Sequence, residues 1–369
     1  MKNLLPFIAV LLLASCASKV ENEITSSADY EQFLTTKPAK LTSKYFELWN
    51  SKIKPDSMQL TSLGISGGEY TRYFDATGDI AYLKKAEQSL KKAAQIAAVG
   101  KTDYYRALAR NYISQHRFKG ALYWAQKAHK LGGGLQASKA LLFDIHMELG
   151  NYQEAEGFLN EIRNDNDFEY LIRASKWSDY KGDLDSAILH MERAKFKADA
   201  TSNDALKVWA YTNLADYYGH AGRIQESYQH YLKALQLDDS SSYAKKGIAW
   251  IVFSHEKNAK EALRIMDSVT VADQTPDYQL LKAEIAEYMN DDKKKSKYFD
   301  SYYNKVQNEA YGAMYNGYTI KLYLEETLQF EKAVALAKQE VNNRATPESY
   351  DLLAYAYLKN NELDKAYDV

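Results

Sequence analysis

The chain has 369 residues, of which 46% are apolar and 26% charged, and its formal net charge is −2. This apolar content is enough for a large folded body and excludes extensive disorder. The near-neutral charge provides no basic surface for phosphates, so nucleic acid is not expected as a partner. Five prolines against 31 tyrosines leave few helix breakers, which favours a helical fold with aromatic packing.

Residues 1–15 have the pattern of a signal peptide. A lysine at position 2 is followed by a mostly apolar run over residues 4–13 and then by two small residues. The run is shorter than the roughly 20 apolar residues that a helix needs to cross a bilayer. We therefore predict that this segment is removed and is not a permanent anchor.

The cysteine that follows the signal peptide is the only one in the chain. The tetrad Leu13-Ala14-Ser15-Cys16 resembles the lipobox of bacterial lipoproteins. This resemblance implies that diacylglycerol is joined to Cys16, which becomes the first residue of the mature protein. Ala17 in the next position resembles the pattern for sorting to the outer membrane. The expected location is the cell envelope, anchored by lipid to the outer membrane, with the periplasmic and the surface face both open.

Residues 16–41 are polar and lack a sustained apolar period. Acidic residues, threonines and serines predominate after the cysteine. A segment of this composition behaves as a flexible coil. We predict a tether that lifts the folded body from the membrane.

From residue 42 onwards the sequence repeats a helical hairpin pattern. The clearest unit has apolar residues at helical spacing on either side of a glycine turn: Tyr211, Leu214, Ala215, Tyr218, Gly222, Ile224, Ser227, Tyr231 and Ala234. Similar turns recur near positions 78, 116, 150, 182, 222, 257, 292, 328 and 361. This spacing, close to 34 residues, resembles the tetratricopeptide repeat.

The resemblance implies an all-α solenoid, a right-handed superhelix of antiparallel helix pairs over residues 42–369. About nine hairpins fit, and the last is incomplete, because Val369 comes three residues after Ala366. We expect each hairpin to bury its tyrosines and alanines only against the next one, leaving a long curved wall. Our hypothesis is that the native array continues beyond this end.

The sequence offers no convincing catalytic or metal-binding pattern. Its seven histidines are scattered without metal-ligand spacing, and the acidic run 164–167 lacks the glycine and the distal glutamate of a calcium loop. The triple glycine 132–134 is not followed by the lysine of a phosphate loop. We predict that the protein is not an enzyme and uses no cofactor or metal.

The binding surface that the resemblance implies is the concave face, formed by first-helix side chains. Carrying the repeat's positions over to this sequence gives Arg106, Arg110, Asp144, Glu148, Lys176, Tyr180, Trp209, Asp216, His220, Tyr278, Tyr288, Tyr315, Tyr318 and Tyr355. Charged residues predominate in the N-terminal part of this set. Tyrosines predominate in the C-terminal part, where they could contact peptide or sugar.

Two functions are consistent with this pattern. The favoured one is a scaffold lipoprotein that holds other envelope proteins, or an extended peptide segment of one, along the concave face. The alternative is a glycan-capturing outer-membrane lipoprotein that works with a transporter, although no large inserted loop provides a sugar site. The identity of the partner and the oligomeric state stay open.

Overall fold

The computed structural model describes residues 24–34, 48, 50–53 and 58–369. The signal peptide, Cys16 and most of the predicted tether lie outside these residues. Within the described part of the chain, all regular secondary structure is helical. A short helix α1, Ser27–Tyr30, and a 3-10 turn, Glu31–Phe33, precede a continuous series of antiparallel helix pairs.

Nine helix pairs, hairpins 1 to 9, follow one another in the described chain from residue 60 onwards. Their helices are, in order, α2 Leu60–Thr77 and α3 Ile80–Ile96, α4 Lys101–Ser114 and α5 Phe118–Leu131, α6 Leu135–Leu149 and α7 Tyr152–Glu161, α8 Phe168–Tyr180 and α9 Leu184–Asp199, α10 Asp204–His220 and α11 Ile224–Leu237, α12 Ser242–Ser254 and α13 Ala259–Ala272, α14 Tyr278–Tyr288 and α15 Asp292–Val306, α16 Asn316–Glu325 and α17 Phe330–Asn343, and α18 Pro347–Lys359 and α19 Leu363–Asp368.

Each hairpin turn contains one residue in the left-handed backbone region. Four are glycines and five carry side chains: Gly78, His116, Gly150, Gly182, Gly222, Lys257, Asn290, Leu328 and Asn361. A residue with positive φ at this point ends the first helix and satisfies its last carbonyl groups. The turns therefore lie within two residues of the positions that the repeat spacing predicts.

Small residues let neighbouring helices approach closely beneath tyrosine rings. In hairpin 5, Ala215 is fully buried and Ser227 is nearly so, with the buried rings of Tyr218 and Tyr231 beside them. The ring of Tyr231 also covers Gly247 of the next hairpin so tightly that a methyl group there would overlap it. One continuous apolar cluster consequently runs from hairpin 5 into hairpin 7, because no single hairpin covers its own apolar face.

The array also contacts itself between residues about two hundred positions apart or more. The backbone N–H of Gln274, between hairpins 6 and 7, donates to the Thr77 carbonyl at 2.6 Å. The hydroxyl of Tyr311, between hairpins 7 and 8, donates to the Gly78 carbonyl at 3.3 Å. The Tyr311 ring packs with Ile80 in a separate apolar cluster. Hairpin 1 is therefore held against the loops of the C-terminal half.

A second set of contacts joins the loop between hairpins 8 and 9 to the turns of hairpins 2 and 3. The side-chain amide of Asn343 donates to the His116 carbonyl at 3.1 Å, and Arg344 pairs with Glu148 at 3.2 Å. The expectation that hairpins contact only their neighbours is wrong, because the superhelix returns to its own start. The array therefore contacts itself and is not a simple open wall.

The described part of the predicted tether is also ordered on the array. Tyr30 is only 2% exposed and belongs to the apolar cluster of hairpins 5 to 7. The prediction of a flexible tether is therefore wrong for residues 24–34. A four-residue helix is too short to show an apolar period, so the polar composition concealed the anchoring tyrosine.

The closure can be tested at Gly150, which has a φ of +77° and faces the Ala345 carbonyl so closely that a methyl group would overlap it. Gly182 has the same φ of +77° with open space around it. Both alanine variants should lose about 1–2 kcal/mol of unfolding free energy from backbone strain. Gly150→Ala should lose a further 1–3 kcal/mol or so, from overpacking.

Denaturant unfolding measures the unfolding free energy that each variant loses. Small-angle X-ray scattering measures the overall dimensions of each variant. We expect a larger radius of gyration for Gly150→Ala than for Gly182→Ala, because only the former separates hairpin 3 from the loop before hairpin 9. Equal losses together with identical scattering curves would show that the closing contact does not hold the array.

Candidate functional site

First helices of successive hairpins line two adjoining grooves on the inner surface. The N-terminal groove, with a volume of about 640 Å³, is formed mainly by α4, α6, α8 and α10. The C-terminal groove, of about 740 Å³, is formed mainly by α10, α12, α14 and α16. The two meet at α10, where Tyr217 lines the first and Asp216 the second. The two grooves are thus neighbouring concave surfaces that share one helix, α10.

Charges in the N-terminal groove are largely paired with one another. Arg173 contacts Asp144 at 2.5 Å, and Lys176 contacts Glu148 at 2.9 Å. Burial by itself would raise the pKa of Glu148, but Lys176 and Arg344 outweigh it and hold that pKa below its ordinary value. Glu148 therefore stays ionised, and it joins the wall of the groove to the closing loop.

The C-terminal groove presents three exposed aromatic rings. Tyr243 and Trp250 on α12 and Tyr318 on α16 are 45%, 46% and 47% exposed, although all three line the groove. Large rings that are exposed in a concave surface provide binding area at a low cost in conformational entropy. These three side chains are the strongest contact candidates on the inner surface.

Carboxylates outnumber cations in the same groove. Its acidic side chains are Asp216, Asp277, Glu284, Glu325 and Glu326, whereas Lys246 and Lys321 are its lysines. Asp216 accepts hydrogen bonds from the hydroxyls of Tyr231 and Tyr243.

The environment also disfavours ionisation at two of these carboxylates. Burial raises the pKa of Asp277, and Lys246 only partly opposes that shift. Burial and then the charge of Glu287 raise the pKa of Glu284. A cation in the groove would stabilise the ionised form of both groups.

Eight of the fourteen predicted surface residues line the grooves. Arg110, Asp144, Lys176 and Trp209 line the N-terminal groove, and Asp216 and Tyr318 line the C-terminal groove. Glu148 and His220, which share the repeat positions, also lie in the grooves. The structure therefore brings together charged residues from hairpins 2 to 4 and aromatic residues from hairpins 5 and 8, as their repeat positions imply.

Arg106 and Tyr278 require a correction, because both are buried. The Arg106 guanidinium donates to the Gly133 carbonyl at 2.7 Å and to the Ser138 hydroxyl at 3.1 Å. It therefore fixes the loop before α6, which needs a donor for its free carbonyl groups. Tyr278 is 6% exposed and belongs to the core of hairpins 5 to 7. Neither side chain is accessible to a partner.

The remaining predicted tyrosines lie outside both grooves. Tyr315 is half-buried among the closing residues, with its ring 5.2 Å from that of Tyr311. Tyr355 packs in the apolar cluster of the last hairpins. Tyr288 is exposed and touches Phe253 edge to face. Tyr180 stacks on Tyr152, with ring centroids 4.1 Å apart.

Sequence reasoning missed the strongest part of the groove, which is on α12. Tyr243, Lys246, Trp250 and Ser254 recur every three or four residues and share one face of this helix. That stripe of aromatic and polar residues was the available signal. The turn at residues 255–258 has four residues where most of the other turns have three, and this shift obscures the register of the hairpin in the sequence.

Within the described ranges, no three His, Cys, Asp or Glu side chains cluster closely enough to hold a metal ion. Among the same residues, no helix combines the length and the apolar character that crossing a membrane requires.

Comparison with known proteins identifies the fold. No family model matches the chain, and no curated protein matches it. The solved structure of the human IFIT1 dimer with PPP-AAAA is similar over 93% of this chain and 98% of its own, at 11% identity and a TM-score of 0.50.

Two tetratricopeptide structures show weaker likeness. A tetratricopeptide repeat protein from Parabacteroides merdae matches 67% of this chain and 98% of its own, at 16% identity and a TM-score of 0.44. A signal transduction ATPase with a tetratricopeptide repeat sensor from Pyrococcus horikoshii matches 94% and 53%, at 14% identity and a TM-score of 0.43. The nine helix pairs, together with the likeness to the IFIT1 structure, show an all-α solenoid fold of the tetratricopeptide type.

The role of Glu148 is testable by Glu148→Gln, which removes the shared partner of Lys176 and Arg344. We expect a loss of about 1–3 kcal/mol of unfolding free energy at pH 7, the usual cost of leaving charged groups unpaired. Because the folded-state pKa of Glu148 is lowered, its stabilisation exists above the unfolded-state pKa and disappears as the pH falls through the folded-state value.

Urea unfolding between pH 7 and pH 3 measures this effect. The stability of the variant should fall less steeply with decreasing pH than that of the native chain. Glu156→Gln, an exposed position on α7, is the matched control and should follow the native curve. An unchanged pH profile in Glu148→Gln would contradict the assigned network.

Proposed function

We propose that this tetratricopeptide-type protein is a non-enzymatic scaffold lipoprotein of the bacterial cell envelope, which holds an extended segment of a partner protein in its inner grooves. The observation that carries the proposal is the pair of neighbouring concave grooves between α4 and α16, of which the C-terminal one presents three exposed rings. Solvated aromatic side chains within a concave surface are typical anchors for peptide binding.

The charges of the C-terminal groove favour a partner segment that contains lysine or arginine. Five carboxylates and two lysines line this groove, and one of the carboxylates, Glu326, is already paired with Lys295 at 2.9 Å. A basic side chain would be attracted by the unbalanced charge and would stack on an exposed ring such as Trp250. Since electrostatic complementarity is screened by salt, such binding should weaken as ionic strength increases.

The cellular location rests on the sequence alone. The short apolar run and the tetrad ending in Cys16 support lipid attachment, and Ala17 supports retention at the outer membrane. Two or three acyl chains on one cysteine would give stable anchoring, because each buried methylene contributes about 0.8 kcal/mol. The partner would accordingly be another envelope protein.

A glycan ligand is the second candidate. The observation in its favour is the same set of rings, Tyr243, Trp250 and Tyr318, because each offers an apolar face and a polar group. Flanking carboxylates such as Asp277 could accept hydrogen bonds from sugar hydroxyls. The alternative function is capture of an outer-membrane glycan together with a transporter.

Selection of random-sequence peptides displayed on phage tests the scaffold function with the mature chain. We expect enriched peptides that share basic and aromatic residues. Trp250→Ala should weaken their binding about tenfold or more, because an anchor of this kind contributes roughly 1–2 kcal/mol or more. Fluorescence anisotropy of a labelled enriched peptide, at low and high salt, measures the affinities.

Phe196→Ala is the matched control, because Phe196 is 71% exposed on α9, away from both grooves. It should bind the peptides as the native chain does.

A panel of defined oligosaccharides, tested with the same variants, examines the second candidate. Sugar binding lost in Trp250→Ala without any peptide enrichment would favour glycan capture. Equal peptide affinity in both variants would exclude the groove as the binding site.

A further inference from the structure

Residues 24–34, here called the docked segment, make specific contacts with hairpins 5 and 6. At its start, the backbone N–H groups of Ile24 and Thr25 both donate to one carboxylate oxygen of Glu256, at 2.8 and 2.7 Å. The Thr25 hydroxyl donates to the other oxygen at 2.9 Å. One carboxylate therefore accepts three hydrogen bonds and fixes the point where the segment meets the array.

Two tyrosines continue the attachment. The Tyr228 hydroxyl, on α11, donates to the Asp29 carboxylate at 3.0 Å and accepts from the Ser26 N–H at 3.2 Å. The Tyr30 hydroxyl donates to Glu261, on α13, at 2.8 Å. Tyr30 and Tyr228 are 2% and 1% exposed. Each ring is thus covered by the opposing element, which provides apolar burial in addition to the hydrogen bonds.

An exposed ion pair and two apolar side chains complete the contact. Glu31 pairs with Arg264 of α13 at 2.6 Å, and Phe33 and Leu34 pack against the apolar cluster of hairpins 5 to 7. Contacts are therefore made along the whole length of the docked segment. The array provides a complementary binding site for this part of its own chain.

The docked segment and the C-terminal groove involve different layers of the same hairpins. The segment contacts the second helices α11 and α13 and the turn that precedes α13. The groove is lined chiefly by the first helices α10 and α12, together with α14 and α16. First and second helices form the two sides of a solenoid wall.

Only seven residues, 17–23, separate Cys16 from Ile24. Eight extended steps span no more than about 29 Å, so a lipid on Cys16 would hold the docking site close to the bilayer. If the chain were undocked as far as α2, the distance between the array and the bilayer would not be limited in this way. Because the segment is docked, the link between the lipid and the array is short and meets the array on one face.

We propose that the docked segment is a latch that sets the orientation of the protein on the membrane. It places the second-helix layer of hairpins 5 and 6 towards the bilayer and leaves the grooves open on the other side. This inference relies on the lipid anchor of the proposed function. The interaction surface is thus a lipid surface, held against the outer layer around α11 and α13.

Hydrogen exchange followed by mass spectrometry tests the latch without any membrane. In the mature chain, the amides of residues 26–33 should exchange at least tenfold more slowly than in the double variant Tyr30→Ala with Glu31→Ala. Gln32→Ala, an exposed position in the same segment, should exchange as the native chain does. Circular dichroism should show an unchanged helical array, because both substitutions lie outside the hairpins. Equal exchange in all three proteins would overturn the latch.

The orientation can be tested independently of cellular lipidation, because Cys16 is the only cysteine and can be coupled to vesicles that contain a maleimide lipid. A membrane-impermeant amine reagent then labels exposed lysines. Lys257 and Lys260, beside the docking site, should be labelled several-fold less on vesicles than in solution. Lys321 in the groove should be labelled equally in both. The double variant should lose the protection of Lys257 and Lys260.

Protection of Lys321, or equal labelling of Lys257 and Lys260 in the native chain and the variant, would overturn the proposed orientation.

Incorporation of an alkyne fatty acid in a Gram-negative host, with Cys16→Ala as the negative control, tests the anchor itself. Suppose that this labelling failed while the hydrogen-exchange and vesicle experiments gave the expected results. The lipid anchor of the proposed function would then be wrong, and the docked segment would still be supported.

Discussion

The structure depends on one constraint, namely that a single hairpin cannot cover its own apolar face. Alanine, serine and glycine allow the backbones to approach, and tyrosine rings fill the space beside them, as Tyr231 does over Gly247. Every pair therefore requires the next pair, and the apolar clusters cross hairpin boundaries. Because burial of apolar area is the dominant stabilising contribution, this stacking order determines the curvature and the direction of the array.

The contacts that join the two halves of the array are separate from the stacking of neighbouring hairpins. Polar side chains and backbone groups make most of the contacts between the two halves, with Tyr311 and its neighbours adding an apolar part. Such contacts are weaker than the continuous core, since polar groups exchange one set of hydrogen bonds for another. They nevertheless restrict how far the array can open. The stacked hairpins thus form the walls of the grooves, and the closing contacts join the two halves of the array.

The docked segment and the C-terminal groove share hairpins 5 and 6, so the proposed attachment and the proposed binding surface lie on the same part of the array. α11 contributes Tyr228 to the segment, and α10 and α12 contribute Asp216 and Trp250 to the groove. A protein held through hairpins 5 and 6 would present its most aromatic groove at a fixed height above the lipid. Geometry of this kind suits a scaffold, because binding to a pre-positioned partner avoids part of the entropy cost of association.

The local pattern of the sequence determined the helices, the nine turns and the stacking order, because apolar period and turn residues act over a few positions. It also placed residues such as Asp144, Lys176 and Trp209 on the inner surface. The burial of Arg106, the closure through Arg344 and the docking of Tyr30 were decided only by the tertiary structure. These contacts join residues up to more than two hundred positions apart, and the superhelical path that brings them together is a sum of small rotations that no local pattern specifies.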